Sequence, residues 1–281
     1  MKIIIDGRFW LQSGIGRYIR NLVENLQQLD RSNEYFILHL KQDYDKLVYH
    51  NQNFHKILAD FDWYGVEEQF KLPKLLKNLN PDITHFPHFN VPIFYHGRFV
   101  VTIHDLIHQH FSTREATLHS PLIYQVKKWG YKKVFSYAVS NADKIFTPSN
   151  FIKNQLIREW KVDKDKIVVT YEAVEDKFLQ ISKQSKTEDF QNIASKFGFS
   201  KPYLFYVGNA QPHKNISKLI EAFKVLKDRY PALFLVLSGP KHPFWQRIKK
   251  ELNTEAVIFT GFINENELIA LYKNAAVFVM P

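Results

Sequence analysis

Short apolar runs alternate along the chain with segments whose apolar residues recur every three or four positions. The runs at 2–6, 35–40, 54–58, 83–86, 98–104, 144–148, 166–171, 201–207, 233–238, 256–260 and 276–280 read as strands. Helical spacing covers 16–28, 64–79, 120–141, 150–160, 215–229, 243–252 and 265–274. In the first helix Ile19, Leu22, Val23 and Leu26 share a face, and in 215–229 Ile216, Leu219, Ile220, Phe223 and Leu226 do. Strands alternating with helices in this way build βα units on a parallel sheet, so the class is α/β. Local signals mark some ends. Asn264 and Glu267 have the spacing of a capping box, and Asn80-Pro81-Asp82 is a helix-to-strand turn. Pro73 is expected to end or kink its helix.

The rhythm breaks at 175–200, where EDKFLQISKQSKTEDFQNIASKFGFS is polar and aperiodic for most of its length. The boundary is expected there, giving a first domain at 1–175, a linker at 176–200 and a second domain at 201–281. Ala275–Met280 has the look of a buried parallel strand, and Pro281 follows it. Open α/β sheets carry their ligand loops beyond the C-terminal ends of the strands. The last residue therefore stands where such a loop is expected to begin, and the second domain reads as incomplete.

A hydrophobic fraction of 45% and a charged fraction of 23% belong to a globular protein. No cysteine is present, which removes disulfides, thiolate nucleophiles and cysteine zinc sites. MKIIIDGRFW leads straight into a strand-like segment without the apolar core of a signal peptide, and no apolar run is long enough to span a bilayer. A cytoplasmic protein is expected. The net charge of +10, from 38 Lys+Arg against 28 Asp+Glu, favours anionic partners: nucleic acid, acidic lipid or phosphorylated substrates. No helix-turn-helix, zinc-finger or RRM pattern supports nucleic acid, so none is expected.

The stretch YLFYVGNAQPHKN at 203–215 holds the densest chemistry. A strand ends at Gly208, a polar loop carries Asn209 and Lys214, and a helix follows. That arrangement places a cation at a helix N-terminus, a phosphate site or else an ordinary βα turn with an exposed lysine. Gly14-Ile15-Gly16-Arg17 opens the first helix, where glycines let backbone approach a ligand and Arg17 adds charge. Ile19 stands where a third glycine would complete G-x-G-x-x-G, so a dinucleotide site is weakly supported. His104 closes the strand RFVVTI, at the end of a strand where α/β sheets place active sites, and could donate a hydrogen bond or act as a base. His85, His88, His104, His108 and His110 form a histidine-rich region, but without H-E-x-x-H or cysteine no metal is expected. Asp43/Asp45, Asp60/Asp62 and Asp163/Asp165 each match D-x-D and read as solvated loop residues. The helix at 120–141 mixes Lys127, Lys128, Lys132 and Lys133 with Tyr124, Trp129, Tyr131 and Phe135. It suits peripheral contact with an anionic membrane, or equally a solvated helix whose aromatics pack inward. Gly239 and Gly261 make turns after the second and third strands of the second domain.

In order along the chain, IDGRFWLQSGIGRY (5–18), DITHFPHFNVP (82–92), VVTIHDL (100–106), ADKIFTPSNFIKNQL (142–156), YLFYVGNAQPHKNISKLIEAF (203–223), LVLSGP (235–240) and VIFTGFINENELIALYKNAAVFVMP (257–281) carry a resemblance. They resemble the family 4 retaining glycosyltransferases of the GT-B fold, particularly the mannosyltransferase-like branch. The resemblance implies two Rossmann-like parallel-sheet domains, the second incomplete here, with a nucleotide-sugar in the cleft between them. It implies that Lys214, with Gly208, Asn209, Gly16 and Arg17, serves the donor diphosphate. Gly14 and His88 would belong to the acceptor-side loops, His104 would be the active-site histidine near the transferred sugar, and Gly239, Gly261 and Phe262 would line the base. Asn209 departs from a family position that is often arginine. In the family, MP is followed by a loop with two glutamates that contact the donor sugar and ribose, and this chain has no residue after Pro281.

The implied activity is transfer of a hexosyl group, mannosyl by the branch resembled, from a GDP- or UDP-linked sugar to a glycan or lipid-linked acceptor with retention. No cofactor and no metal are implied, and the work would be done in the cytoplasm or at the inner face of the membrane. A chain ending at Pro281 is expected to be impaired. The alternatives are a nucleotide-sugar epimerase on the same fold and a non-catalytic module that binds a nucleotide or a partner.

Overall fold

Continuous apolar runs become strands covered on both faces, because parallel sheets bury both sides under their crossover helices. The computed structural model describes residues 1–12, 14–110, 121–184, 187–241, 243–251 and 255–281. The chain divides into two units, Met1–Glu172 and Ala173–Pro281.

In the first unit β1 (Lys2–Asp6) leads through a loop into α1 (Gly14–Leu29), then β2 (Glu34–His39), the short α2 (Lys41–Tyr44), β3 (Phe54–Leu58), α3 (Val66–Leu79) and β4 (Ile83–Phe86). The second half runs β5 (Phe99–Thr102), α4 (Ile107–His110), α5 (Pro121–Asn141), β6 (Lys144–Thr147), α6 (Asn150–Trp160) and β7 (Ile167–Val169). The seven strands pair in parallel in the order β3-β2-β1-β4-β5-β6-β7. Adjacent residues of one strand feed opposite cores. Ile4 packs with Leu72, Leu76, Phe99 and Phe135, whereas Ile5 packs with Ile19, Val23, Ile37 and Phe54. The strand order reverses between β1 and β4, which makes the loops after those two strands the expected ligand loops.

The second unit contains α7 (Asp176–Gln184), α8 (Thr187–Phe197), β8 (Tyr203–Val207), α9 (Ile216–Arg229), β9 (Phe234–Ser238), α10 (Pro243–Glu251), β10 (Val257–Gly261), α11 (Glu265–Asn274) and β11 (Val277–Phe278). Its parallel order is β10-β9-β8-β11. Tyr206, Leu235 and Leu237 face α9, meeting Ile216, Leu219, Ile220 and Phe223. Tyr203, Phe205 and Val236 face the other way, meeting Phe190, Ile193, Ala270 and Leu271. The predicted capping box is present. The Asn264 side chain accepts from the Glu267 N–H and the Glu267 carboxylate from the Asn264 N–H, each at 2.9 Å.

Several expectations change. Residues 176–184 and 187–197, expected within a polar linker, are helices. Phe190, Ile193 and Ala194 form a buried stripe too short to stand out against the polar residues around it. α3 continues through Pro73, because Leu72 and Leu76 are fully buried on either side and their packing outweighs the lost backbone hydrogen bond. Asp43 is no solvated loop residue. The turn of α2 folds it inward, where its Oδ2 lies 3.3 Å from His39 Nδ1. β5 stops at Thr102 because His104 turns out of the ladder. Leu252, the expected end of α10, lies outside the described residues.

One buried cation joins three of these segments. Arg8, just past β1, donates through Nε to Asp6 Oδ1 at 2.8 Å and through Nη2 to Asp6 Oδ2 at 2.7 Å. Nη2 also reaches Glu68 Oε1 on the first turn of α3 at 2.5 Å. Asn90, beyond β4, donates to both Glu68 oxygens at 2.8 and 2.7 Å. The Phe61 ring covers the guanidinium at 5.1 Å. Burial works against the charge, but the pull of Asp6 and then Glu68 outweighs it and holds Arg8 more firmly protonated. Burial pushes the Glu68 carboxyl up against the pull of Arg8. Arg8→Ala strands two buried carboxylates and should destabilise the first unit by about 3–5 kcal/mol. The control Lys71→Ala, which breaks the exposed Glu67–Lys71 pair, should change urea stability by no more than about 0.5 kcal/mol. Equal effects of the two would refute the structural role of Arg8.

Candidate functional site

At the C-terminal end of β5, Ile103 still donates its N–H to Phe146 O at 2.9 Å, and the chain then turns His104 back towards β4. Nε2 of His104 donates to the Pro87 carbonyl at 3.0 Å. Its Nδ1 lies 3.3 Å from Glu172 Oε1. The Tyr18 ring, from the second turn of α1, stands edge-on to the imidazole with centroids 4.8 Å apart. The Tyr18 hydroxyl is 3.2 Å from Thr102 Oγ1, which is 2.8 Å from His85 Nε2. Four strand and helix ends thus meet around His104. The hydrogen bond to His104 holds the Glu172 carboxyl below the ordinary glutamate range, outweighing the opposing effect of burial. Burial, and then the charge of His104, push His85 down to about 4. Burial also raises the Tyr18 phenol.

The two glycines at the start of α1 have different reasons. A methyl group on Gly16 would run into the carbonyl oxygens of Trp10 and Phe9, so the helix needs glycine there to lie on its own preceding loop. Arg20 ties the same loop by donating to the Trp10 carbonyl. Gly14 faces open space and leaves backbone accessible, with Arg17 exposed beside it. His88 is half-buried in an aromatic setting, 5.3 Å from the Phe9 ring and 4.0 Å from Phe89. Among the described residues no cluster of three or more His, Asp or Glu is placed to hold a metal. The side chains of His108 and His110 lie outside the described residues, as does that of Tyr124.

In the second unit the three glycine turns stand side by side. Gly208 N–H donates to Ser238 O at 3.0 Å, and Gly239 N–H to Gly261 O at 3.1 Å. Ser238 and Thr260 join their hydroxyls at 2.6 Å. A side chain on Gly239 would overlap the Gly208 carbonyl, and Gly261 has φ +72°, a conformation suited to glycine. Beyond Gly208 the loop closes in a 3-10 turn at Pro212–Lys214, and Asn215 opens α9 with no side-chain cap. The half-buried Lys214 ammonium has no partner among the described residues. A lysine directly before an uncapped helix start concentrates positive potential there. Asn209 braces the loop instead of charging it: its carbonyl accepts from the Tyr206 hydroxyl at 2.7 Å and its Oδ1 from Gln211 N–H at 3.3 Å. Phe262 is exposed on the turn after Gly261.

Sequence reasoning passed over Tyr18, Thr102 and Glu172, and took His85 only as part of a histidine-rich stretch. A signal for Tyr18 is its place one helical turn beyond Gly14. For Glu172 it is an acidic residue just beyond the last strand of the unit.

Two parallel α/β units with polar groups gathered at their strand ends define a ligand-binding enzyme scaffold. Residues 12–178 match Glycosyltransferase Family 4, and residues 188–281 match Glycosyl transferases group 1. The chain belongs to glycosyltransferase family 4, and its architecture is GT-B. Among curated relatives, the serotype-specific mannosyltransferase WbdA of Escherichia coli is 28% identical over 149 residues, covering 50% of this chain and 18% of that protein. O-antigen chain mannosyltransferase B of Escherichia coli is 25% identical over 293 residues, covering 96% of this chain and 72% of that protein. A glycosyltransferase structure from Rickettsia africae ESF-5 superposes with TM-score 0.66 at 18% identity, covering 99% of this chain and 72% of that one.

The depressed His85 makes a pH prediction. The unfolded imidazole takes up its proton near its ordinary value of about 6.5, whereas the folded ring resists until about pH 4. Stability is therefore complete above the unfolded value and falls as the pH drops towards the folded one. Between pH 7 and pH 5 the loss attributable to His85 should be about 2 kcal/mol. His85→Gln should remove that slope in urea unfolding, and an unchanged slope would show that His85 is not the group responsible.

Proposed function

We propose that this chain transfers a hexosyl group, mannosyl in the first instance, from a nucleotide-sugar to a glycan or lipid-linked acceptor with retention. Transferases of this fold bind nucleotide-sugars. The observation that carries the donor side is the second unit's strand-end constellation: Gly208, Gly239 and Gly261 side by side, followed by Lys214 at the start of α9. Close-packed glycines carry no side-chain bulk at these strand ends, which leaves room for a flat base. The lysine and the open helix start supply charge for the diphosphate, whose negative charge grows as the glycosidic bond breaks. We assign Lys214, Gly208 and Asn209 to the diphosphate, together with Gly16 and Arg17, and Gly239, Gly261 and Phe262 to the base. Gly14 and His88 are assigned to the acceptor side and His104 to the transferred sugar. The names of the relatives support mannose as the sugar.

A direct test is calorimetric titration with GDP and UDP, followed by turnover of GDP-mannose with lipid-linked glycan acceptors. Lys214→Ala should weaken diphosphate binding by about tenfold to a hundredfold, the worth of one hydrogen bond to a charged group. Binding that is absent in the unsubstituted chain, or undiminished by Lys214→Ala, would sink the donor assignment. Appearance of an epimerised nucleotide-sugar without any acceptor would point to the epimerase reading.

We also propose a cytoplasmic protein that meets the membrane's inner face through α5. Support comes from its exposed Lys127, Lys128, Lys132 and Lys133 around Trp129, which is 64% exposed, while Phe135 is buried and Tyr131 half-buried. No helix among the described residues is long and apolar enough to cross a membrane. Each lysine near an anionic surface is worth about 1 kcal/mol, so replacing all four with Gln should weaken co-sedimentation with phosphatidylglycerol vesicles at least about tenfold. Equal binding to purely zwitterionic vesicles would refute the contact.

A further inference from the structure

Each ring nitrogen of His104 faces an acceptor. Nε2 meets the Pro87 carbonyl at 3.0 Å, and Nδ1 meets Glu172 Oε1 at 3.3 Å. A carbonyl and a carboxylate can only accept, so making both bonds together takes a ring with a proton on each nitrogen. Such a ring has no lone pair for general-base work. With both bonds made, the ring is a double donor beside the Glu172 carboxylate.

The two members of the pair differ in access. The Glu172 side chain is 55% exposed and that of His104 is 18% exposed. Glu172 therefore closes on the imidazole from the solvent side, while Tyr18 holds the ring edge-on from within. Among the described residues His85, from β4, also interacts electrostatically with the imidazole. Without Glu172, Nδ1 loses that acceptor, and the Pro87 carbonyl and the packing of Tyr18 remain to orient the ring.

We propose that Glu172 is a positioning residue: it fixes the plane of the His104 imidazole and keeps Nδ1 as a hydrogen-bond donor towards an oxygen-rich ligand. A sugar hydroxyl or phosphate oxygen arriving at Nδ1 shares or displaces the carboxylate and meets a proton. This rests on the reading of His104 as part of a sugar-transfer site. The pair itself can be measured without that reading. The carboxyl of Glu172 already lies below the ordinary glutamate range because of the bond to His104.

The experiment has two arms on the full chain. In the first, carbon NMR follows the titration of the Glu172 carboxyl. Its midpoint should lie below the ordinary range, and His104→Gln should return it there. A midpoint unmoved by His104→Gln overturns the proposal. In the second arm, GDP-mannose turnover is compared among variants. Glu172→Ala should lower kcat about tenfold, as for loss of an orienting partner, with donor KM changed less than about threefold. Glu172→Gln keeps an acceptor and should recover part of the loss. In a His104→Ala background, Glu172→Ala should cost less than about twofold, because its effect passes through the ring. Additive losses overturn the proposal. Absence of turnover in every variant counts against the transferase reading, and the carboxyl titration then decides the pair alone.

Discussion

The guanidinium of Arg8 is the interaction on which the first unit's candidate site depends. It neutralises Asp6 at the end of β1 and Glu68 on α3, and through Glu68 it reaches Asn90 beyond β4. β1 and β4 are the strands between which the sheet order reverses. A buried ion cluster is an expensive way to hold them, since each charge loses its hydration. What it adds over apolar packing is direction: a planar donor set fixes the angle between two strand ends and a helix start. His88 and the Pro87 carbonyl that holds His104 lie between β4 and Asn90, and so inherit that geometry.

The second unit solves the same problem with backbone alone. Its strand ends are joined by Gly208 to Ser238 and Gly239 to Gly261 hydrogen bonds, and Gly239 is packed too tightly against Gly208 for any side chain. Each approach removes bulk from the surface where the strands stop. The positive end of α9 is left without a side-chain cap and Lys214 without a partner among the described residues. One unit positions charged side chains with other charges, and the other clears bulk from its strand ends beside Lys214.

Much of this was legible in the chain. The β8–Gly208–Lys214–α9 segment and the capping box at Asn264 follow from local periodicity and side-chain chemistry, which act over a few residues. The linker at 176–200 did not read correctly, because α8 owes its stability to Phe190 and Ile193 meeting Tyr203 and Leu271, partners far along the chain. Pro73 misled for the same reason: tertiary burial of Leu72 and Leu76 overrode a local rule. Asp43 looked solvated in a D-x-D pattern until α2 turned it under His39. Glu172 was invisible as a partner of His104 because 68 residues separate them, and only the parallel order β5-β6-β7 brings their strand ends to the same side.

The paired state of His104 bears on which chemistry the proposed transfer could use. As a nucleotide-sugar breaks, negative charge collects on the diphosphate and positive charge on the sugar ring. A lone imidazolium beside the sugar would oppose that positive charge. With both ring nitrogens donating, the Glu172 carboxylate would offset the ring's charge, and an arriving oxygen would have to share Nδ1 with it. The pair is thus suited to placing a sugar without penalising its ionisation, and poorly suited to removing a proton. In the proposed assignment, charge compensation for the leaving group would rest on Lys214 and the start of α9. That division of labour asks of His104 only that it be held still. A carboxylate on one nitrogen, a carbonyl on the other and the edge-on Tyr18 ring meet that requirement.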